Sequence, residues 1–270
     1  MCTVQLASGY CTRTLDDATA LALNALNLAL YRDRAAEWDA VRTRPWRGFA
    51  RVAAELARLP FERLRVLDVG CGNGRLGRAL DEALGARRDA LAYTGIDASA
   101  PLLERARIGA PPHAHFVQAD FVQTTPGHAL PAGPFELVAL FGVLHVVPGH
   151  ARRRAMLESA AARTLTGGLL ALSRWRFDAC ETRRTRIVPW ERYDAQAVTP
   201  IDPRQLEPGD HLLSFGAHGA LRYGHAIDAI ELKALLAGLP FEPLADWCDD
   251  GRDARENHYV LLRCTRGRLP

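Results

Sequence analysis

Lysine is nearly absent from this chain. It occurs once, at Lys233, although lysine and arginine together number 34 against 31 acidic residues, for a net charge of +3. Such a bias reflects base composition of the coding DNA more than a function, and it weakens arginine clusters as a sign of phosphate binding. A balance this mild permits contact with nucleic acid without arguing for it. The six cysteines, Cys2, Cys11, Cys71, Cys180, Cys248 and Cys264, form no C-x-x-C pair and show no zinc spacing with histidine. Thioredoxin-like redox chemistry and zinc ribbons are thereby excluded, no metal is expected, and a reducing, cytoplasmic compartment is the natural expectation. There is no G-x-x-x-x-G-K-[ST], so a P-loop is excluded; the closest dinucleotide-style match runs from Gly72 to Gly77, but the glycines alternate as D-x-G-x-G-x-G from Asp68, a spacing that disfavours a dinucleotide. A charged stretch followed by an apolar core is not seen near residue 1, and no apolar run is long enough for a bilayer. Ala18–Leu30 is interrupted by Asn24 and Asn27 and reads as an amphipathic helix packed on the domain. Internal repeats and low-complexity tracts are also lacking. With 270 residues and 48% hydrophobic content, one α/β domain with extensions is the simplest organisation.

What is present centres on Val66-Leu67-Asp68-Val69-Gly70-Cys71-Gly72-Asn73-Gly74-Arg75. An apolar strand ends in an acid, three glycines alternate, and a helix follows. Glycine allows backbone torsions and close ligand approach that a Cβ forbids, and the N–H groups at the start of the next helix attract anionic groups. The turn is suited to a nucleotide-like ligand.

Around it strands and helices alternate, the mark of a parallel sheet. Helices are predicted over Leu15–Leu30, with Thr14 as N-cap, and over Trp46–Leu59. Then come strand Leu64–Val69, helix Leu76–Leu84, strand Ala92–Ile96, helix Pro101–Ile108, strand Ala114–Gln118, strand Phe135–Phe141, helix Ala151–Leu165 and strand Leu169–Arg174. Residues 1–14 carry no periodic signal and read as loose. Residues 176–224, rich in Arg, Pro and Asp, read as a long insertion with little regular structure, and such insertions are usually functional. Helix Ala226–Leu236 and strands Phe241–Trp247 and His258–Cys264 complete the pattern.

Two further acids stand at strand ends. Asp97 follows the second strand in Thr94-Gly95-Ile96-Asp97-Ala98-Ser99, where it can accept ribose hydroxyls or cap the next helix. Asp120 follows the third strand, where it can accept the amino group of adenine, with Phe121 over the ring, or remain a solvated loop acid. Strand ends of an open α/β sheet converge on one crevice, so Asp68, Asp97 and Asp120 should face one ligand.

D-x-G-x-G-x-G followed by these acids resembles the class I S-adenosylmethionine-dependent methyltransferases over about Leu64 to Arg174. The resemblance implies a Rossmann-like fold: a mostly parallel seven-stranded sheet, helices on both faces and an antiparallel last strand. It also implies S-adenosylmethionine as cofactor, held by Tyr31, Asp68, Gly70, Cys71, Gly72, Gly74, Asp97, Ala98, Asp120, Phe121 and Phe141. Residues 1–60 would form a helical extension over that site, and 61–270 the methyltransferase domain. In the family the strip after the fourth strand often carries two histidines. Here the first is His145 and Val146 replaces the second, leaving His145 as a base, a substrate-orienting group or a buried anchor.

Upstream, Tyr31-Arg32-Asp33-Arg34-Ala35-Ala36-Glu37-Trp38-Asp39 and Arg42-Thr43-Arg44-Pro45-Trp46 resemble the segment before the core in the tRNA wobble-uridine carboxymethyl methyltransferases. Val188-Pro189-Trp190 and Arg222-Tyr223-Gly224-His225 are similar to that family as well. This implies methylation of the carboxylate of 5-carboxymethyluridine, with Arg42, Trp46, Arg222, Tyr223 and His225 lining the acceptor pocket, tRNA as a partner and an activator subunit as another. Arginine suits a carboxylate or phosphate, and an aromatic suits an unpaired base. Because Arg and Trp in an insertion can equally cap a small-molecule pocket, a small-molecule carboxyl, O- or N-methyltransferase is the alternative. A non-catalytic S-adenosylmethionine-binding subunit is a third reading.

Overall fold

The computed structural model describes residues 3–5, 11–122, 130–193 and 201–266, with side chains from residue 14 onward. Seven strands form the central sheet: β3 (Leu64–Val69), β4 (Leu91–Asp97), β5 (His115–Gln118), β6 (Phe135–Phe141), β7 (Thr164–Trp175), β11 (Phe241–Asp249) and β12 (Asn257–Cys264). Their order is β11-β12-β7-β6-β3-β4-β5. The pairs from β5 through β7 are parallel, and only β12 runs against its neighbours. The antiparallel last strand expected from the sequence is therefore present.

Alternation explains why both faces are covered. In β3 and β6, Leu67, Val69, Val138 and Leu140 pack to one side with Leu157, Leu235 and Val260. Val66, Leu137 and Phe141 pack to the other with Phe49, Val52, Leu80 and Tyr259. The first side is closed by α6 (His150–Arg163) and α8 (Ala229–Leu236), the second by α3 (Phe49–Ala57) and α4 (Arg75–Ala83). α5 (Ala100–Arg107) follows β4. Burying one such Leu, Val or Phe side chain contributes about 1.5–3 kcal/mol before entropy is counted.

The chain leaves β3 toward β4 on one side and meets β6 on the other, so the order reverses beside the glycine turn. Loops at the carboxyl ends of β3, β4 and β5 open into that switch point.

Several expectations need correction. Residues 1–14 are not wholly loose: β1 (Thr3–Gln5) pairs antiparallel with β2 (Cys11–Arg13). The first helix, α1 (Asp17–Asp33), is capped by Asp16 rather than Thr14, its carboxylate accepting the Thr19 N–H at 2.7 Å. A short α2 (Ala35–Ala40) follows, and the helix expected from Trp46 begins only at Phe49. The last helix starts later too, because Asp228 accepts the Glu231 N–H at 2.7 Å and caps it there. The largest difference is the insertion. After α7 (Glu181–Arg184), β8 (Ile187–Val188), β9 (Asp210–Phe215) and β10 (Ala220–His225) make an antiparallel sheet. This sheet packs on α1: Leu15, Ala20 and Leu23 share a buried cluster with Leu206 and Tyr223. The two form one cap. No helix among the described residues is long and apolar enough to cross a membrane.

Candidate active site

The glycine turn closes β3 with positive φ at Gly70 (70°) and Gly72 (55°), values costly for any residue with a Cβ. A Cβ on Gly70 would sit 2.6 Å from Val143 Cγ2, whereas Gly72 faces open space. The Gly72 N–H donates to Asp97 Oδ2 at 2.9 Å, and the Ser99 N–H donates to Asp97 Oδ1 at 2.9 Å. Asp97 thus staples the turn to the start of α5 while its outer edge lines the cavity, and burial raises its pKa. Asp68 is buried and accepts the Tyr93 hydroxyl; burial pushes its pKa up to about 7. Asp120 accepts the Val122 N–H and the Asn24 side-chain amide, each at 2.9 Å.

Asn24 belongs to α1, so the cap reaches the strand ends directly. Asn27, Tyr31 and Trp38 line the same cavity. Asn73, inside the glycine turn, donates to Asp39 Oδ1 at 2.7 Å and to the Arg42 carbonyl at 3.1 Å, and Ser99 Oγ donates to the Tyr31 carbonyl at 3.0 Å. Gly70, Cys71, Ala98, Phe121, Phe141 and Trp46 complete the expected lining.

Away from the acids, the cavity wall turns cationic. Arg42 lies on the Trp38 ring, and its pKa is pushed down to about 8 by burial and by the nearby charges of Arg222 and Arg75. Arg75 lies over Trp46, 4.7 Å from the ring centre, and burial lowers it to about 10. Arg183 covers Trp175 at 4.2 Å and has a 3.3 Å contact with Glu256. Arg222, on β10, has 0% exposure. Its guanidinium sits 4.5 Å from the Trp175 ring and 5.2 Å from Trp38. Its Nε and Nη1 have no partner among the described residues. A buried guanidinium without a carboxylate is expensive.

Residues 67–170 match the family model described as "Methyltransferase domain". That segment is a methyltransferase domain. Trans-aconitate 2-methyltransferase of Streptomyces avermitilis is 34% identical over 130 residues, covering 48% of this chain and 45% of that protein. The protein of the same name from an Enterobacter species is 36% identical over 139 residues, covering 50% and 47%. The chain thus spans about half the length of these curated relatives. Among solved structures, the complex titled "DhpI-SAM-HEP complex" superposes with a TM-score of 0.58 at 20% identity, over 93% of this chain and 100% of that one, and shares the methyltransferase fold.

Within this methyltransferase domain and its cap, the expected residues separate into those at the cavity and those away from it. Gly74 does not line it; at φ 78° it caps α4 and packs on Ala106. His145 stacks on Trp175 at 3.6 Å and is buried, with both ring nitrogens unpartnered among the described residues. Burial and the charges of Arg183 and Arg222 hold its pKa well below the ordinary value, so it is neutral. Arg222 lies behind the lining at Trp38 and Trp175. Tyr223 and His225 point elsewhere: the Tyr223 hydroxyl donates to Asp210 at 2.7 Å, and His225 bridges Asp210 (2.6 Å) and Glu231 (2.8 Å). Glu207, Asp210 and His225 are close enough together to hold a metal ion. Arg153 Nη2, however, lies 2.6 Å from Glu207 and 3.2 Å from His225, so a guanidinium already occupies that position.

Sequence reasoning passed over Asn24, Asn27, Trp38, Asn73, Arg75 and Trp175, all of which line the cavity. A signal existed for the first two, since two asparagines interrupt an otherwise apolar helix. Trp175, at the end of β7, carried no local signal.

Proposed function

We propose that the protein transfers a methyl group from S-adenosylmethionine to a carboxylate oxygen of a small organic acid. The observation that carries the acceptor class is Arg222: buried, lacking a carboxylate partner, and separated from the cavity only by the rings of Trp38 and Trp175. Arg42 on the cavity wall provides a second cation, and the relatives named trans-aconitate 2-methyltransferase support the same class. This is the small-molecule alternative of the sequence reading.

On the donor side, the residues suit the cofactor's hydrogen-bond donors. Asp97 would take the ribose hydroxyls, Asp120 the adenine amino group and Asp68 the ammonium, with Gly70–Gly72 against the ligand and Phe121, Phe141 and Tyr31 around it. When bound, S-adenosylmethionine supplies an electrophilic methyl group on a sulfonium sulfur. The chain's own task is alignment and exclusion of water. Arg42 would pair with the acceptor carboxylate, Arg222 behind Trp38 and Trp175 would add its positive field, Trp38 and Trp46 wall the pocket, and α1 covers the crevice. A carboxylate is already ionised at neutral pH and needs no general base. A neutral, buried His145 stacked on Trp175 agrees with that requirement.

The test is incubation with methyl-labelled S-adenosylmethionine and, in parallel, trans-aconitate, a panel of other di- and tricarboxylic acids, and bulk tRNA. A methyl ester releases its label as methanol in mild alkali. Alkali-labile product from a small acid supports the proposal. Alkali-labile label on tRNA would move the acceptor to a carboxymethyl wobble uridine, and alkali-stable label would sink carboxyl methylation. Donor binding without label in any fraction would leave a non-catalytic subunit.

A further inference from the structure

Arg153 is fully buried and held by several hydrogen bonds, and the proposed reaction does not use it. It rises from α6, on the sheet side, with 0% exposure. Nε and Nη2 donate to Glu231 Oε1 of α8 at 3.0 and 2.7 Å; Nη2 also donates to Glu207 Oε2 of the cap at 2.6 Å, and Nη1 to the Val147 carbonyl at 3.0 Å. Glu207 additionally accepts the His150 N–H at 2.8 Å. From there the network runs into the cap. The Glu207 N–H donates to Asp210 at 2.8 Å, Asp210 accepts the Tyr223 hydroxyl at 2.7 Å, and the Tyr223 N–H donates to Asn27 Oδ1 at 2.9 Å. Tyr223 follows Arg222 on β10, and Asn27 lines the donor cavity.

One guanidinium thus ties the scaffold to the strand that carries the unpaired arginine. A buried ionic network contributes little net stability compared with apolar packing, and its best-attested use is to fix one arrangement among several. Arg222 needs such fixing. Left to itself, an unpaired buried cation would draw its strand outward to reach water.

We propose that Arg153 is a positioning residue that pins the cap sheet against the methyltransferase scaffold and so holds Arg222 inside. The inference rests on the reading of Arg222 as an acceptor-binding group. Its signature is selective: the acceptor side loosens while the donor side, braced by Asp97 and Asp120, does not.

The experiment uses the full chain in two arms. Arginine-selective labelling with phenylglyoxal, read by peptide mass spectrometry, follows the accessibility of Arg222 without any acceptor. Steady-state kinetics with trans-aconitate form a double-mutant cycle between positions 153 and 222. In Arg153→Met, Arg222 should label about tenfold faster and the acceptor KM should rise about tenfold, with kcat and the S-adenosylmethionine Kd within about twofold. Arg153→Lys should recover most of both effects, and Arg153→Met with Arg222→Ala should be no worse than Arg222→Ala alone. Additive effects, or an Arg222 as protected in folded Arg153→Met as in the wild type, would overturn the proposal. If Arg153→Met does not fold, His225→Gln loosens the same network, and unchanged labelling there would overturn it equally. An unchanged acceptor KM in Arg222→Ala, or no turnover of trans-aconitate, counts against the acceptor reading and leaves labelling to decide the role of Arg153.

Discussion

The two walls of the cavity are built on opposite terms. On the donor wall every carboxylate has a partner: Asp97 holds Gly72 and Ser99, Asp120 holds Val122 and Asn24, and Asp68 holds Tyr93. On the proposed acceptor side, Arg222, behind the lining rings, keeps buried donors without partners among the described residues, and Arg42 has cationic neighbours. A wall that is satisfied alone is rigid before the ligand arrives. A wall left unsatisfied holds energy that only a ligand of the right charge releases, so stability there is given up for recognition.

The sharpest way to break this contrast is Arg222→Met. Removing the buried cation behind Trp38 and Trp175 should raise the acceptor KM on the order of a hundredfold, while relief of the uncompensated charge should stabilise the fold by about 1 kcal/mol. Kinetics and thermal melting check both halves, and a destabilised variant would mean that Arg222 is already satisfied. Next in size is Asp97→Ala. Loss of a charged hydrogen-bonding partner for turn and ribose should weaken S-adenosylmethionine binding by about 1.5–3 kcal/mol, measured by calorimetry; unchanged affinity would remove Asp97 from the site.

A smaller effect separates the donor acids by pH. The folded-state pKa of Asp68, about 7, lies above the ordinary 3.8 because burial favours its neutral form. Its contribution to stability is therefore complete below the ordinary value and is lost as pH rises through the folded one. An ammonium ligand favours the ionised form, so donor affinity should rise several-fold between about pH 6 and about pH 8. In Asp68→Asn that rise should vanish; a profile identical to wild type would place the ammonium elsewhere. The smallest effect is expected for Asn24→Ala, which removes one hydrogen bond to Asp120 and should weaken the donor by about 1 kcal/mol in the same calorimetric assay.

The same division decides what could be read from the chain. Strand, turn and acid lie within a few residues of one another at Asp68–Gly74, Asp97–Ser99 and Asp120–Phe121, so local pattern reveals the donor wall. The sheet order follows from the alternation of strands and helices. The acceptor wall joins Trp38 and Arg42 to Trp175, Arg183 and Arg222, segments far apart in sequence and brought together only by cap packing. β9 and β10 read as irregular because Pro and Gly around them obscure a short alternating pattern. Tyr223 and His225 are expected at the pocket because the run Arg222-Tyr223-Gly224-His225 is similar to the tRNA wobble-uridine carboxymethyl methyltransferases. In a strand successive side chains face opposite ways, and Tyr223 turns from the cavity into the cap's own core.

The hydrogen bond from Asn24 to Asp120 ties donor chemistry to the docking of α1. Ser99 to the Tyr31 carbonyl fastens α1 to a second strand-end loop, and Asn73 to Asp39 fastens the following α2 to the third. In the proposed function, donor occupancy and the docking of α1 are therefore linked equilibria, each favouring the other by the same free energy.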